Sequence, residues 1–158
     1  MAHADAGQRR LEHLHWVSLA GSARHWFIAS VYTHDEVDRA LKEVRRICLA
    51  LPAVTERLSH GSPTWFVRDK KTFVTLLDDH HGDGRLAIWC AAPPGAQAQA
   101  VEQEPERFFR PPYVGGRGWL GVRLDVDPDW DELAEICADA YRQVAPKKLI
   151  AELDEEVR

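Results

Sequence analysis

The chain has 158 residues, with 20 Lys and Arg against 25 Asp and Glu and a formal net charge of −5. That length fits one domain. A hydrophobic content of 45% and a charged content of 28% belong to a folded domain and exclude a wholly disordered chain. No apolar run approaches the ~20 residues that cross a bilayer, which argues against an integral membrane protein. The acidic residues gather late in the chain. Residues 127–158 hold ten acidic and four basic side chains, whereas residues 34–126 balance at thirteen of each. A strong generic nucleic-acid binder shows a basic excess or stripe, so any nucleic-acid contact here has to come from a local patch.

Residues 1–33 read as an extension, flexible or loosely docked. Trp16, Leu19, Ala20, Ala23 and Phe27 fall at helical spacing, but Gly21 weakens that segment. His13 and His15 would point apart on a helix and make a poor ligand pair. Arg9-Arg10 is not followed by an unbroken apolar stretch, so no signal peptide is expected.

The domain proper is expected over 34–151. Thr33 and Glu36 have the spacing of a capping box. After them Val37, Leu41, Val44, Cys48 and Leu51 form one apolar stripe that Pro52 ends. Residues 55–91 read as strands. Thr64–Arg68 and Lys71–Asp78 are joined by a turn at Asp69-Lys70, and a polar turn at 79–84 leads to Arg85–Ala91. Ala96–Glu104 reads as a short helix closed by Pro105. Trp119–Val126 alternates cleanly, with Leu120, Val122, Leu124 and Val126 on one face and Trp119 and Arg123 on the other. Asp127-Pro128-Asp129 opens a long helix striped by Trp130, Leu133, Ala134, Cys137, Ala140, Tyr141 and Val144. A last short helix runs into an acidic tail over 152–158. This order predicts an α+β fold, one antiparallel sheet with helices packed on one face. Cys48, Cys90 and Cys137 are widely separated in sequence and odd in number, which fits buried reduced thiols and a cytoplasmic setting.

Several spaced motifs point to a family. Ser59-His60-Gly61-Ser62-Pro63-Thr64-Trp65 precedes Lys71-Thr72-Phe73. Pro94-Gly95-Ala96-Gln97 follows a strand. Pro112-Tyr113-Val114-Gly115 precedes Gly118-Trp119-Leu120-Gly121, and Tyr141 precedes Ala145-Pro146-Lys147. The set resembles the MmcQ/YjbR family over about residues 34–151. The resemblance implies a CyaY-like (frataxin-like) sheet. It also implies nucleic-acid binding, through a shape shared with a double-wing DNA-binding domain. It supplies no catalytic residues.

The residues themselves offer an aromatic and basic set. Trp65, Trp89 and Trp119 lie on predicted strands, and Arg68, Lys70, Lys71, Arg117 and Arg123 lie near them in sequence. On one sheet face they would make a platform that stacks bases. The leading expectation is therefore a non-enzymatic domain that binds DNA weakly through that face. A second expectation is a small-molecule-binding protein or enzyme with a pocket around His60, Trp65 and Trp119. A third is an interaction module using the acidic helix. Adjacent Ser59 and His60 lack the spatial assembly of a catalytic triad, and Asp78, Asp79, His80, His81 and Asp83 read as a polar turn, with no metal or other cofactor expected.

Overall fold

Thr33 starts the first helix among the described residues as the capping box requires. Its hydroxyl accepts from the Glu36 backbone N–H at 3.2 Å, and the Thr33 N–H donates to Glu36 Oε2 at 2.8 Å. The computed structural model describes residues 30–158; the sequence readings within 1–29 lie outside the described residues. Helix α1 spans His34–Leu49. Four strands follow, β1 Val54–Ser59, β2 Ser62–Val67, β3 Lys71–Asp78 and β4 Leu86–Cys90. Helix α2 is Ala96–Gln103, β5 is Phe108–Phe109, and β6 is Leu120–Arg123. Helices α3, Trp130–Val144, and α4, Lys147–Glu156, complete the chain. The six strands pair antiparallel in the order β1-β2-β3-β4-β6-β5, so the fold is α+β.

Register decides which face each side chain takes, because successive residues of a strand point to opposite faces. One row crosses the sheet through Trp65, Val74, Cys90 and Leu120. These residues are buried with Val44 and Cys48 of α1 and with Leu133, Cys137 and Tyr141 of α3 in the main core. Tyr141 fixes the corner of that core. Its hydroxyl donates to the Pro52 carbonyl at 2.8 Å, and its ring meets Phe73 edge-on at 5.8 Å between centroids. A register shift between Trp65 and Phe66 lets Phe73 and Val74 both enter the core. The three cysteines are all buried and free. The acidic tail is partly structural, since α4 continues to Glu156 and Leu153 is buried.

The neighbouring row faces the other way and runs through Arg57, Thr64, Thr75, Trp89, Gly121 and Phe109. Here Leu77, Ala87, Trp89 and Phe109 form a second, smaller cluster, with Val114 and Trp119 packed against it. Its cover is the segment between α2 and β6, where β5 was not legible as a strand. The chain also enters the domain earlier than Thr33. Ser30 Oγ donates to Asp78 Oδ1 at 2.5 Å, and Tyr32 Oη lies 2.6 Å from both the Gly84 carbonyl and Asp125 Oδ2.

The second cluster depends on a glycine. A Cβ on Gly121 would stand inside van der Waals contact with the Phe109 ring. Gly121→Ala is therefore expected to destabilise the domain by about 1–3 kcal/mol, the usual cost of overpacking. Urea denaturation measures it, and Phe109→Leu in the same chain should recover part of the loss.

Candidate functional site: a cleft on the open sheet face

The smaller cluster covers only part of its sheet face. The rest is an open cleft of about 710 Å³, within the size range of small-molecule sites. Its floor is the sheet, with Ser62 and Thr64 of β2, Thr72, Thr75 and Leu77 of β3, and Trp89 of β4. Its wall is the loop before β6, with Tyr113, Val114, Arg117 and Trp119. Ser59, His60 and His80 close one end.

Local backbone geometry places these groups. His60 and Gly61 have φ of +50° and +79°, the left-handed pair that a two-residue hairpin turn between β1 and β2 demands. Tyr113 also has positive φ, so two of the eight non-glycine residues with positive φ among the described residues line this cleft, and Asp79 and His81 flank its residue His80. Strained backbone of this kind costs of order 1–3 kcal/mol per residue and clusters at functional sites. The aspartates of the polar turn support it as expected: Gly84 N–H donates to Asp79 Oδ1 at 2.7 Å and Arg85 N–H to Asp83 Oδ1 at 3.0 Å. The wall is clamped from behind by Gln97 of α2, whose Nε2 donates to the carbonyls of Gly115 at 2.9 Å and Trp119 at 2.5 Å.

His80 sits where the two walls meet. Its ring lies 4.8 Å from Trp89, 4.1 Å from His81 and 6.2 Å from Tyr113, centroid to centroid. Its Nε2 is buried without a hydrogen-bond partner among the described residues, as is Trp89 Nε1. Burial lowers the His80 pKa from its ordinary value, and the neighbouring His81 adds to this against an opposing pull from Asp83. The imidazole is thus held neutral near pH 7.

The electrostatics of the cleft are one-sided. Its lining includes the cations Lys71 and Arg117, and none of the described lining residues is Asp or Glu. Arg117 rests over the Trp119 ring at 5.5 Å. Neither Lys71 nor Arg117 has a carboxylate partner among the described residues, whereas Arg57, Arg85 and Arg123 each do.

Five of the nine residues expected from the sequence meet here: His60, Lys71, Trp89, Arg117 and Trp119. The three-tryptophan platform is corrected. Trp65 is 0% exposed and lies under the helices on the opposite face, because its register partner is Val74 while that of Trp89 is Thr75. The pocket expected around His60, Trp65 and Trp119 accordingly forms without Trp65. Trp89 is 7% exposed and offers a floor rather than a stacking surface. Arg68 and Lys70 occupy the β2–β3 loop outside the cleft lining, and the charge of Arg68 is felt by Tyr141 on the helix side. Arg123 is held 2.7 Å from Asp125. Burial works to raise the Asp125 pKa, but Arg123 and Tyr32 together outweigh it and keep the carboxyl below its usual range. Sequence reasoning missed His80 and Tyr113 as lining residues, and the hydroxyl strip of Ser62, Thr64, Thr72 and Thr75. No group of three or more His, Cys, Asp or Glu suited to a metal ion occurs among the described residues. No helix among them is long and apolar enough to cross a membrane.

A YjbR family model matches residues 49–143, more than half of the chain. The chain belongs to the YjbR family. A crystal structure of the Deinococcus radiodurans protein DR2400, described with a DUF419 domain, is similar to this YjbR-family protein, with a TM-score of 0.57 at 17% sequence identity. The match covers 72% of this chain and 87% of that one. At that identity the likeness is one of fold. No curated protein matches the chain.

Protonation of His80 should be visible as a stability slope. A histidine with a lowered folded pKa favours the fold in its neutral form, so its contribution is complete above the unfolded value of about 6.5 and is lost as pH falls below it. Chemical denaturation of the wild type and of His80→Phe at pH 7.5 and 5 checks this. The wild type should lose more stability between the two pH values than the variant, which lacks the group.

Proposed function

We propose that this YjbR-family protein is a non-enzymatic binding domain whose site is the cleft on the open sheet face, and that it takes a small planar organic anion there. The observation that carries the reading is the lining: the cations Lys71 and Arg117 with no carboxylate, on a chain whose net charge is −5. Concave shape, aromatic walls and a few convergent polar groups are what small-molecule sites share, and a titratable group perturbed within such a cleft strengthens the case. The acidic-helix reading is less supported. Asp129 caps α3, and Glu132 is paired with Arg107 at 2.6 Å. The exposed large hydrophobic residues, Leu49, Leu58, Tyr113 and Val157, lie off that helix.

Anilinonaphthalene sulfonate, an aromatic anion with a flat naphthalene ring, tests the proposal on the full chain. One saturable site is expected by fluorescence. Lys71→Ala with Arg117→Ala should weaken it on the order of tenfold, the scale for losing a charge-assisted contact. Unchanged affinity in that double variant would sink the proposal.

A second reading, nucleic-acid binding on the same face, is favoured by a different observation. Arg57 covers Phe66 at 3.7 Å and Arg85 covers Phe109 at 4.1 Å, so with Arg117 three guanidinium groups lie over aromatic rings. Single-strand binding by this array predicts an affinity that falls steeply with salt. Fluorescence polarisation of a labelled strand and a labelled duplex at about 50 and 200 mM salt decides it. A protein making around six phosphate contacts would lose about a thousandfold across that range, and no binding at the lower salt removes this reading.

A further inference from the structure

We propose that the cleft is two-ended and is shaped for a nucleoside phosphate, with the base toward the histidines and the phosphate toward Arg117 and Lys71. This rests on the reading of the cleft as a small-molecule site. Strand register gives the polarity. Lys71 is the first residue of β3 and Leu77 is near its end, and at about 3.3 Å per residue the two lie roughly 20 Å apart. The Ala91 N–H donates to the Phe73 carbonyl at 3.0 Å, and β6 begins at Leu120 opposite Cys90. Trp119, with Arg117 over its ring, therefore belongs to the Lys71–Thr72 end. Ser62 lies beyond Thr64, whose partner is Thr75, and so belongs with Leu77, His60 and His80 at the other end. The loop wall runs the length of the cleft, from Tyr113 beside His80 to Arg117 over Trp119.

Each zone has its own chemistry. The phosphate end has two cations, Arg117 and Lys71, without carboxylate partners among the described residues. The middle presents hydroxyls. There Thr75 Oγ1 accepts from Thr64 Oγ1 at 3.3 Å and keeps its own O–H to meet a sugar, with Ser62 and Thr72 toward the two ends. The base end has aromatic edges and the buried, unpartnered His80 Nε2. An unpartnered buried polar atom carries a desolvation cost that a hydrogen-bonding ligand recovers. Among the described residues Trp65 Nε1 is also unpartnered, but in the helix-side core; His80 and Trp89 differ from it in lining the cleft.

The test is calorimetry on the full chain with four probes: a set of the four ribonucleoside monophosphates, adenosine, ribose 5-phosphate and inorganic phosphate. At least one monophosphate should bind at least tenfold more tightly than each of the three fragments. Arg117→Ala and Lys71→Ala should each weaken the monophosphate on the order of tenfold and leave adenosine unchanged. His80→Phe should weaken the monophosphate and adenosine by the same factor and leave ribose 5-phosphate unchanged. The crossed pattern is one that a general loss of folding does not produce. If anilinonaphthalene sulfonate occupies the cleft but no monophosphate binds at millimolar concentration, the two-ended assignment falls and the cleft stands. If inorganic phosphate binds as tightly as the monophosphates, or if all variants lose both fragments together, the assignment also falls. If neither the dye nor any monophosphate binds, both readings fall.

Discussion

The Phe109 ring lies on Gly121, where no side chain could stand, and the second face of the sheet is organised around that close approach. Helices cover one face of an antiparallel sheet readily; the other has to be left polar or covered by something else. Here a two-residue strand places Phe109 against Leu77, Ala87 and Trp89, and the chain returns over them before entering β6. The cover is short and does not reach the β2–β3 side. The cleft is the uncovered remainder, bounded by a loop that Gln97 holds in place.

Much of the frame was legible from local chemistry. Thr33 with Glu36, Asp129 ahead of the long helix, and Gly61 after His60 are signals that act within a few residues of themselves, and each appears in the structure where its chemistry places it. The alternation of Leu120, Val122 and Leu124 toward the core also held. The family motifs quoted from the sequence lie across the fold in the same order, and the YjbR family match covers the central part of it.

The site was only half legible, for a reason of parity. Trp65 and Trp89 are both tryptophans on strands, yet they sit in adjacent rows that face opposite ways. Their relation depends on the lengths of two intervening turns and on a register shift, which a one-residue change would invert. Phe108 and Phe109 stand between Arg107 and Arg110-Pro111-Pro112, too short a run to signal a strand, and so the cover was invisible. His80 looked like part of a polar turn, and it is, but its ring folds inward onto Trp89. Arg123 shares the open face by parity and is nonetheless tied to Asp125, a partner two residues along that alternation alone does not weigh.

The separation of charge across the molecule has a kinetic side. Seen from far away the protein is an anion of net charge −5, and an approaching phosphate or carboxylate is repelled. Near the open face it meets a lining without carboxylates and is attracted. The crossover lies within about a Debye length, roughly 8 Å at physiological ionic strength. For the proposed anion, added salt would work in two directions: it would weaken contacts with Arg117 and Lys71 while lowering the repulsion on approach. On the proposed reading of the cleft, capture and retention of an anion would therefore respond to ionic strength with opposite signs.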